Sequence, residues 1–258
     1  MKIVKPMLLE YQEKATTEDG TIFEPKYNGI RLLVGNDYSY TRHGTITTNR
    51  FPELLFSGTP VLLDGELIAP GTETPDDFEA VMSRFSGNKV QEIIYMAFDI
   101  ITYKSEMITR YPLEERKALL TEVLANIDSP CINLVPYIHT EGEAVFNLMK
   151  ENNMEGVVAK RLKTPYLIGK RTDYWKKIIA WSYHDCIISK VTFGPLTAQL
   201  TDIEGNYLGS VNIGFTKEVK DVLFSRTPPY ACKVKSRGWT NTGKLRIPLI
   251  ISIEKTLL

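Results

Sequence analysis

The chain has 258 residues, 43% of them hydrophobic and 24% charged, and its 31 basic side chains balance its 31 acidic ones. This composition is typical of an ordinary soluble globular protein with one large domain, or a medium domain with a small companion. No run of about 18 apolar residues predicts a membrane span, and charges interrupt the N-terminal segment too early for a secretory signal. The three cysteines have neither CxxC nor zinc spacing, so we interpret them as core residues of a protein in a reducing compartment.

In chain order, the first 182 residues are predicted to mix strands and helices. TIFEPK, IRLLVGN and YSYTRH are strand-like runs separated by turn residues, and VLLDGELIA and IIYMAFDII are typical of buried strands. A helix is predicted in TPDDFEAVMSRF, where Thr74 can cap the helix and Pro75 suits its first position. A second helix is predicted after Pro112, and a third over about 141 to 152.

Residues 183–258 are predicted to form short strands around one helix that begins near Thr216. The strand-like runs are DCIISKVTF, TAQLTDI, LGSVNIG, YACKVKSRG and LRIPLIISI. Five strands with one helix in a segment of this size predict a small barrel such as an OB-fold. We therefore predict a domain boundary near WSYHD, with one domain at 1–182 and another at 183–258.

The charges are distributed unevenly between these two parts. Residues 183–258 hold 10 of the 31 basic and 6 of the 31 acidic side chains, which leaves 21 basic and 25 acidic ones in residues 1–182. From Arg226 to Arg246 there are six basic residues and no acidic one. A local basic stripe can bind phosphates in a neutral chain, but a merely solvated surface fits this composition as well.

Six short segments of residues 1–182 contain residues that could take part in catalysis or ligand binding. Each segment alone occurs by chance in many proteins: a lone lysine is usually a surface residue and a lone phenylalanine usually belongs to a core. Their occurrence together and in this order is a specific signal. The segments are KYNGIR at 26–31, TRHG at 41–44, DGELI at 64–68, FDI at 98–100, EGVVAK at 155–160 and YWKKI at 174–178.

In content and order these segments resemble the motifs of the covalent nucleotidyltransferases, and among them those of the minimal ATP-dependent DNA ligases of bacteria and bacteriophages. The resemblance covers nearly the whole chain. It implies an α+β fold in which a nucleotidyltransferase (ATP-grasp-like) domain of antiparallel sheets with flanking helices precedes a C-terminal OB-fold β-barrel. It also implies a cytoplasmic, monomeric enzyme without an obligate protein partner, which acts on nicked duplex DNA with ATP and Mg²⁺ or Mn²⁺.

The resemblance makes Lys26 the nucleophile that attacks the α-phosphate of ATP and forms a lysine–AMP phosphoramidate. A lysine amine has a reference pKa of about 10.4 and is nucleophilic only when neutral, so burial and neighbouring cations must favour its deprotonation. Gly29 permits a tight turn beside the lysine. The resemblance also places Glu66 and Glu155 at the metal ion, although Glu66 could instead hold the ribose.

Further residues are implied to contact the nucleotide or the DNA. Phe98 and Val157 match positions on the two faces of adenine, and Glu24 matches one at the adenine edge. The implied cationic contacts are Arg31 at the ribose, Arg42 at the 5′-phosphate of the nick, Lys160 and Lys177 at phosphates, and Lys233, Lys235, Arg237 and Lys244 along the duplex.

The chain departs from the family's motifs at three positions. Asn28 replaces the aspartate of KxDG, which keeps the turn geometry but removes a charge. Ile179 replaces the second lysine of WxKxK, so either Lys176 substitutes for that lysine or ATP turnover is weaker. Ser252 replaces the arginine of the ending LRxP…RxDK, whose lysine remains as Lys255.

Two other interpretations stay open at this point. An RNA ligase or an RNA-capping nucleotidyltransferase belongs to the same superfamily, although the TRHG and DGEL forms and the OB domain with LRxP favour DNA ligation. A non-catalytic nucleic-acid-binding module is an interpretation from a different class, and the residues at 179 and 252 favour it.

Overall fold

The computed structural model describes residues 3–71, 76–87, 92–225 and 227–254. The chain divides into two compact units, Met1–Ile179 and Ala180–Leu258. No helix within the described ranges is long and apolar enough to cross a membrane. Thr74, the predicted helix cap, lies outside the described residues, and so do Pro75, Arg226 and Lys255.

Strands outnumber helices in both units. The helices are α1 (Phe78–Phe85), α2 (Leu113–Leu124), α3 (Gly142–Glu151) and α4 (Lys217–Ser225). The strands of the larger unit are β1 (Leu8–Tyr11), β2 (Thr21–Pro25), β3 (Ile30–Gly35), β4 (Ser39–Thr41), β5 (Val61–Ile68), β6 (Ile94–Tyr103), β7 (Glu106–Met107), β8 (Ile132–Leu134), β9 (Ile138–His139), β10 (Gly156–Arg161) and β11 (Arg171–Ile179). Those of the smaller unit are β12 (Ser182–Phe193), β13 (Leu196–Thr201), β14 (Tyr207–Val211), β15 (Tyr230–Ser236) and β16 (Leu249–Ile253).

The first sheet of the larger unit, sheet I, has the strand order β1-β11-β10-β2-β9. Successive side chains of a strand point to opposite faces, so each strand contributes to two environments. On one face Phe23, Val157 and Ile178 form an apolar cluster with Val145 of α3. This face is therefore the helix-covered side of sheet I.

The second sheet, sheet II, has the order β4-β3-β5-β6-β7, and β8 also pairs with β6. One of its faces packs on α2, where Leu120 and Val123 join a core that includes Leu63 and Tyr95. Its other face meets sheet I in a cluster that contains Leu33 of β3 and Trp175 of β11. The two sheets thus enclose a shared interior, in which Phe98, one of the predicted site residues, packs against this cluster.

The sheets of the larger unit were predicted to be antiparallel, but both are mixed. β1 pairs with β11 in parallel, and so does β8 with β6. The predicted helices are present, but α1 begins later than TPDDF indicated. The side chain of Asp77 accepts a hydrogen bond from the N–H of Ala80 at 3.0 Å and so caps α1 at Phe78.

The smaller unit is an antiparallel sheet in the order β14-β13-β12-β15-β16. Cys186 and Cys232 are directly opposite each other on β12 and β15, and both are buried in the core of this unit. The prediction that the cysteines are core residues holds for these two, whereas Cys131 is only partly buried. Burial raises the pKa of both buried thiols, to about 11 for Cys186 and about 12 for Cys232.

Candidate functional site

Lys26 lies where β2 leaves sheet I, and two contacts with the segment around β10 hold it there. Its backbone N–H donates to the carbonyl of Gly156 at 2.9 Å. Its Nζ lies 2.7 Å from Oε2 of Glu155, and the two side chains are 17% and 3% exposed. The structure therefore brings together the predicted nucleophile and a predicted metal ligand as a largely shielded ion pair.

Gly29 is required by a close approach between two backbones. A Cβ at this position would overlap the carbonyl oxygen of Leu67 in β5. Glycine alone lacks this atom, so the turn after Lys26 can lie directly against sheet II. The predicted tight turn takes the form of a bend at Gly29 after the irregular residues 26–28, a segment that we call the turn, and the contact with Leu67 accounts for the glycine.

Arg31 is fixed by a buried carboxylate behind it. Its Nε and Nη2 donate to the two oxygens of Asp64 at 2.9 and 2.6 Å, and Asp64 is fully buried. The hydroxyl of Tyr166 donates to the same carboxylate at 2.7 Å. Burial works to lower the pKa of Arg31, but the ion pair with Asp64 outweighs it and raises that pKa. The guanidinium lies 5.2 Å from the centre of the Phe98 ring, so a permanent cation borders this aromatic side chain.

Glu66 links the residues around Lys26 electrostatically. It stands opposite Arg31 in the register of β3 and β5. Burial raises its pKa from 4.5 to about 7; Lys26 and Arg31 oppose this shift, while Glu155 and Asp64 add to it. Glu66 thus shares one electrostatic environment with Lys26, Arg31 and Glu155.

The two carboxylates fit a magnesium ion that takes few protein ligands. Within the described ranges there is no group of three or more His, Cys, Asp or Glu side chains that could hold a metal. Mg²⁺ usually binds one or two carboxylates and completes its shell with water and substrate phosphates. Glu66 and Glu155 would supply such a pair.

Glu24 is the centre of a buried charge cluster. Its Oε2 lies 2.6 Å from Nζ of Lys160, and its Oε1 forms an ion pair with Lys117 of α2. All three residues are 2% exposed. The carboxylate that was predicted at the adenine edge is therefore held by two lysines beneath the surface.

Lys160 is also enclosed by aromatic rings. Its Nζ lies 4.3 Å from the centre of the Phe98 ring and 4.1 Å from that of Trp175. Burial lowers its pKa to about 8, with Lys117 acting in the same direction and Glu24 against it. Phe98 and Lys160, which were predicted at adenine and at phosphate, are thus in direct contact with each other.

The register of sheet I corrects the prediction for Val157. In the pairing of β10 with β11, Lys160 is opposite Trp175 and Val158 is opposite Lys177. Val157 points to the opposite face of sheet I. It is fully buried in the apolar cluster with α3, whereas Phe98 packs against the cluster between the two sheets. Because side chains alternate, Val158 and not Val157 shares the face of Lys160.

The same register corrects the prediction for Lys176. This residue is opposite Ala159, whose side chain lies in the α3 cluster, so Lys176 is directed away from the interior between the sheets. Lys177 and Ile179 share the face of Trp175. Lys176 therefore does not take the place of the lysine that Ile179 replaces, and Ile179 is itself buried.

The predicted DNA-binding residues lie in separate places. Arg42 is exposed on the turn after β4, where its Nε donates to Nε2 of His43 at 2.9 Å. Lys233, Lys235 and Arg237 alternate with buried residues along and just after β15, so they share its outer face. Lys244 is 5.4 Å from the ring of Tyr207 on β14 and does not belong to that row.

Two buried cations of α2, Arg116 and Lys117, were missed by the sequence interpretation, although the pattern of this helix contains a signal for them. Arg116 and Lys117 follow Leu113 at i+3 and i+4 and precede Leu120, so two charges occupy the apolar face of the helix. Arg116 is fully buried and binds both oxygens of Asp99, at 2.8 and 2.9 Å. Charges on an apolar helix face indicate buried partners.

Comparison with known proteins shows the family of the chain. The family model for the ATP dependent DNA ligase domain matches residues 5–178. The chain is 35% identical to the SPbeta prophage-derived DNA ligase-like protein LigB of Bacillus subtilis over 263 residues, which covers 95% of this chain and 97% of that protein. It is 26% identical to a DNA ligase of Methanosphaera stadtmanae over 88% of this chain, but it spans only 45% of that protein's length.

Solved structures of DNA ligases have the same fold. A Lig E DNA ligase superposes with a TM-score of 0.76 at 16% identity, covering 98% of this chain and all of the other. A mycobacterial DNA ligase D complexed with ATP and MES gives a TM-score of 0.66 at 20% identity, over 97% and 95% of the two chains. At these identities the likeness shows the fold alone.

The charge cluster predicts unequal effects of removing its members. Glu24→Gln leaves two buried ammonium groups without their counter-charge and should cost about 3 to 5 kcal/mol of unfolding free energy. Lys117→Met leaves the pair of Glu24 with Lys160 balanced and should cost less. Urea denaturation of both variants tests this, and an equal or larger loss in Lys117→Met would contradict the proposed charge balance.

Glu66 predicts a stability difference that depends on pH. Its pKa in the folded chain, about 7, lies above its ordinary value of 4.5, so ionisation weakens the fold as the pH rises through this interval. Glu66→Gln should therefore be more stable than the unaltered chain at pH 8, by on the order of 1 to 3 kcal/mol, and nearly equal to it at pH 5. Urea denaturation at the two pH values measures the difference. Glu79→Gln, at an exposed position of α1, is the control, and equal stability of Glu66→Gln and the unaltered chain at pH 8 would refute the prediction.

Proposed function

Because the chain belongs to the ATP-dependent DNA ligase family, we propose that it seals nicks in duplex DNA through a lysine–AMP intermediate and a 5′-adenylated DNA intermediate. One observation carries the proposal beyond family membership. The Nζ of Lys26 lies 2.7 Å from Glu155, and Glu66 stands opposite Arg31 in the pairing of β5 with β3, so the proposed nucleophile, a fixed cation and two carboxylates belong to the same part of the larger unit. Such an arrangement suits the transfer of a charged nucleotidyl group.

In the proposed first step, the Lys26 amine attacks the α-phosphorus of ATP. The N–P bond forms while the bond to the pyrophosphate oxygen breaks, and pyrophosphate leaves with the electron pair. The amine must first lose a proton, and the carboxylate of Glu155, at 2.7 Å from Nζ, is within reach to accept it. A divalent cation at Glu66 and Glu155 would neutralise charge on the triphosphate.

The other residues of the interior orient the nucleotide and compensate its charge. Phe98 offers an aromatic face for the adenine, and Val158 is placed on the side of sheet I that faces the same interior. Arg31 is held by Asp64 in one orientation, which makes it suitable for the ribose. Lys160 and Lys177 are assigned to phosphate oxygens. Glu24, which forms ion pairs with Lys117 and Lys160, is assigned to the adenine edge.

In the remaining steps, AMP moves from Lys26 to the 5′-phosphate of the nick, and the 3′-hydroxyl then displaces AMP. Each step presents anionic oxygens to the same cations, so one site can serve all three reactions. We assign nucleotidyl transfer to the larger unit and duplex binding to the smaller one, as an OB-fold barrel. Arg42 and the row of Lys233, Lys235 and Arg237 are the proposed phosphate contacts.

The departures from the family's motifs bear on the first step. Ile179 is buried on the face of Lys177, and Lys176 lies on the opposite face, so the second motif lysine has no replacement from β11. Ser252 on β16 stands beside Lys233 of β15. We therefore propose that adenylation depends more strongly on Lys177 and Lys160 than in ligases with the full motif.

The proposal predicts a covalent adduct on Lys26. Incubation with ATP and Mg²⁺ should add one AMP to the chain, as read by intact mass. Lys26→Ala should lose the adduct, while Lys163→Ala, an exposed lysine of the same unit, should keep it. The adenylated chain should then seal nicked duplex DNA.

Other outcomes of this experiment would replace the proposal. An adduct with GMP instead of AMP indicates a capping enzyme, and sealing of nicked RNA but not of nicked DNA indicates an RNA ligase. The absence of any adduct under all nucleotide and metal conditions indicates a non-catalytic nucleic-acid-binding module.

The register of β11 predicts different effects for its two lysines. Lys177→Ala should slow adduct formation by about ten- to a hundredfold, because it removes a phosphate contact of roughly 1.4 to 2.7 kcal/mol. Lys176→Ala is the matched control on the opposite face and should change the rate less than threefold. Single-turnover adenylation measures both, and the reverse ranking would show that the assigned face is wrong.

A further inference from the structure

Three neighbouring segments hold the turn that presents Lys26. The N–H of Lys26 donates to the carbonyl of Gly156, and Gly29 lies directly against the carbonyl of Leu67. Between these two contacts, the N–H of Asn28 donates to Oδ2 of Asp76 at 2.8 Å. The turn is thus attached to β10, to β5 and to the segment that leads into α1.

Asp76 differs from the other two attachments because it acts through a side chain. The contacts with Gly156 and Leu67 involve backbone atoms only, and the contact with Leu67 depends on the absence of a side chain at Gly29. Asp76 is 7% exposed, and its carboxylate reaches the turn from outside all six motif segments. The next residue, Asp77, caps α1 with its own side chain, so the two adjacent carboxylates have different tasks.

We propose that Asp76 is a positioning residue, which fixes the turn from Lys26 to Gly29 so that the amine meets the α-phosphate in a productive orientation. This inference rests on the proposed function for its catalytic consequence, whereas its geometric part concerns the turn alone. Asp76 touches the backbone of the turn and is not assigned any contact with the nucleotide.

A charged acceptor suits this task. Hydrogen bonds from a backbone N–H to a carboxylate are shorter and stronger than those between neutral groups, particularly where water is largely excluded. The charge also reaches the turn: burial raises the pKa of Tyr27, and the negative charges of Asp76 and Glu24 raise it further. A displacement of about 1 Å in a reacting group can cost a hundredfold in rate, so a small loosening of the turn has a measurable effect.

The first experiment compares variants at two adjacent carboxylates. Asp76→Ala removes the acceptor and should lower the single-turnover rate constant of adenylation at least tenfold, with less than a threefold change in the ATP concentration for half-maximal rate. Asp76→Asn retains an acceptor oxygen and should recover most of the rate. Asp77→Ala tests whether weakening the start of α1 is sufficient, and it should reduce the rate less than threefold. A loss in Asp77→Ala equal to that in Asp76→Ala would overturn the inference.

A charge exchange provides a second, independent test. Asn28→Asp places a carboxylate on the residue whose N–H binds Asp76, and repulsion between like charges should slow adenylation. Asn28→Asp combined with Asp76→Asn restores a single carboxylate at this point and should return to within threefold of the unaltered chain. If the two single effects simply multiply in the double variant, the residues are not coupled and the inference is wrong.

Two measurements decide the geometric part without any nucleotide. Asp76→Ala should accelerate amide hydrogen exchange at Asn28. It should also raise the labelling rate of Lys26 by acetic anhydride severalfold, because a looser turn releases the ammonium group from Glu155. Asp77→Ala should change neither. If the unaltered chain never acquires AMP, the proposed function fails, and these two measurements still show whether Asp76 holds the turn; unchanged exchange and labelling in Asp76→Ala would refute it.

Discussion

Pairing of buried charges in the larger unit is the constraint on which the rest of its structure depends. Glu24, Asp64 and Asp99 are at most 2% exposed, and each is held by cationic side chains from another strand or helix. A buried ion without a partner costs several kcal/mol, so these pairs tolerate only one relative placement of β2, β5, β6 and α2. The hydrophobic clusters supply the driving force for packing, while the charge pairs specify which elements meet.

The buried charges differ in how firmly their ionisation state is fixed. Arg31 and Arg116 are each bound by both oxygens of a carboxylate, which leaves them little freedom. Glu66 and Lys160 instead have pKa values of about 7 and about 8, within reach of physiological pH. The groups that border the proposed nucleotide site therefore combine a rigid frame with charges that a ligand can alter.

Much of this could be predicted from the sequence, and the failures have specific physical causes. Alternation and turn residues indicated β2 to β6 and all five strands of the smaller unit, and the motifs indicated Lys26 and Glu155 as neighbours. The assignment of Val157 and Lys176 was wrong because adjacent strand residues face opposite sides, and a motif quoted as letters carries no register until its partner strand is known. Asp76 was missed because its partner is distant in sequence, and local patterns do not encode such a contact. Lys117 had a local signal, a charge on the apolar face of α2, but this signal does not identify Glu24 as its partner.

The order of the strands in sheet I has a consequence for biosynthesis. β2, which leads to Lys26, pairs with β10, and β1 pairs with β11. During translation, β1 and β2 are therefore synthesised long before their partner strands. In a chain that ends before β11, both β1 and β10 lack a pairing partner, and such an unpaired strand edge can pair with another chain. Sheet I can therefore close only after the whole of its unit has been synthesised.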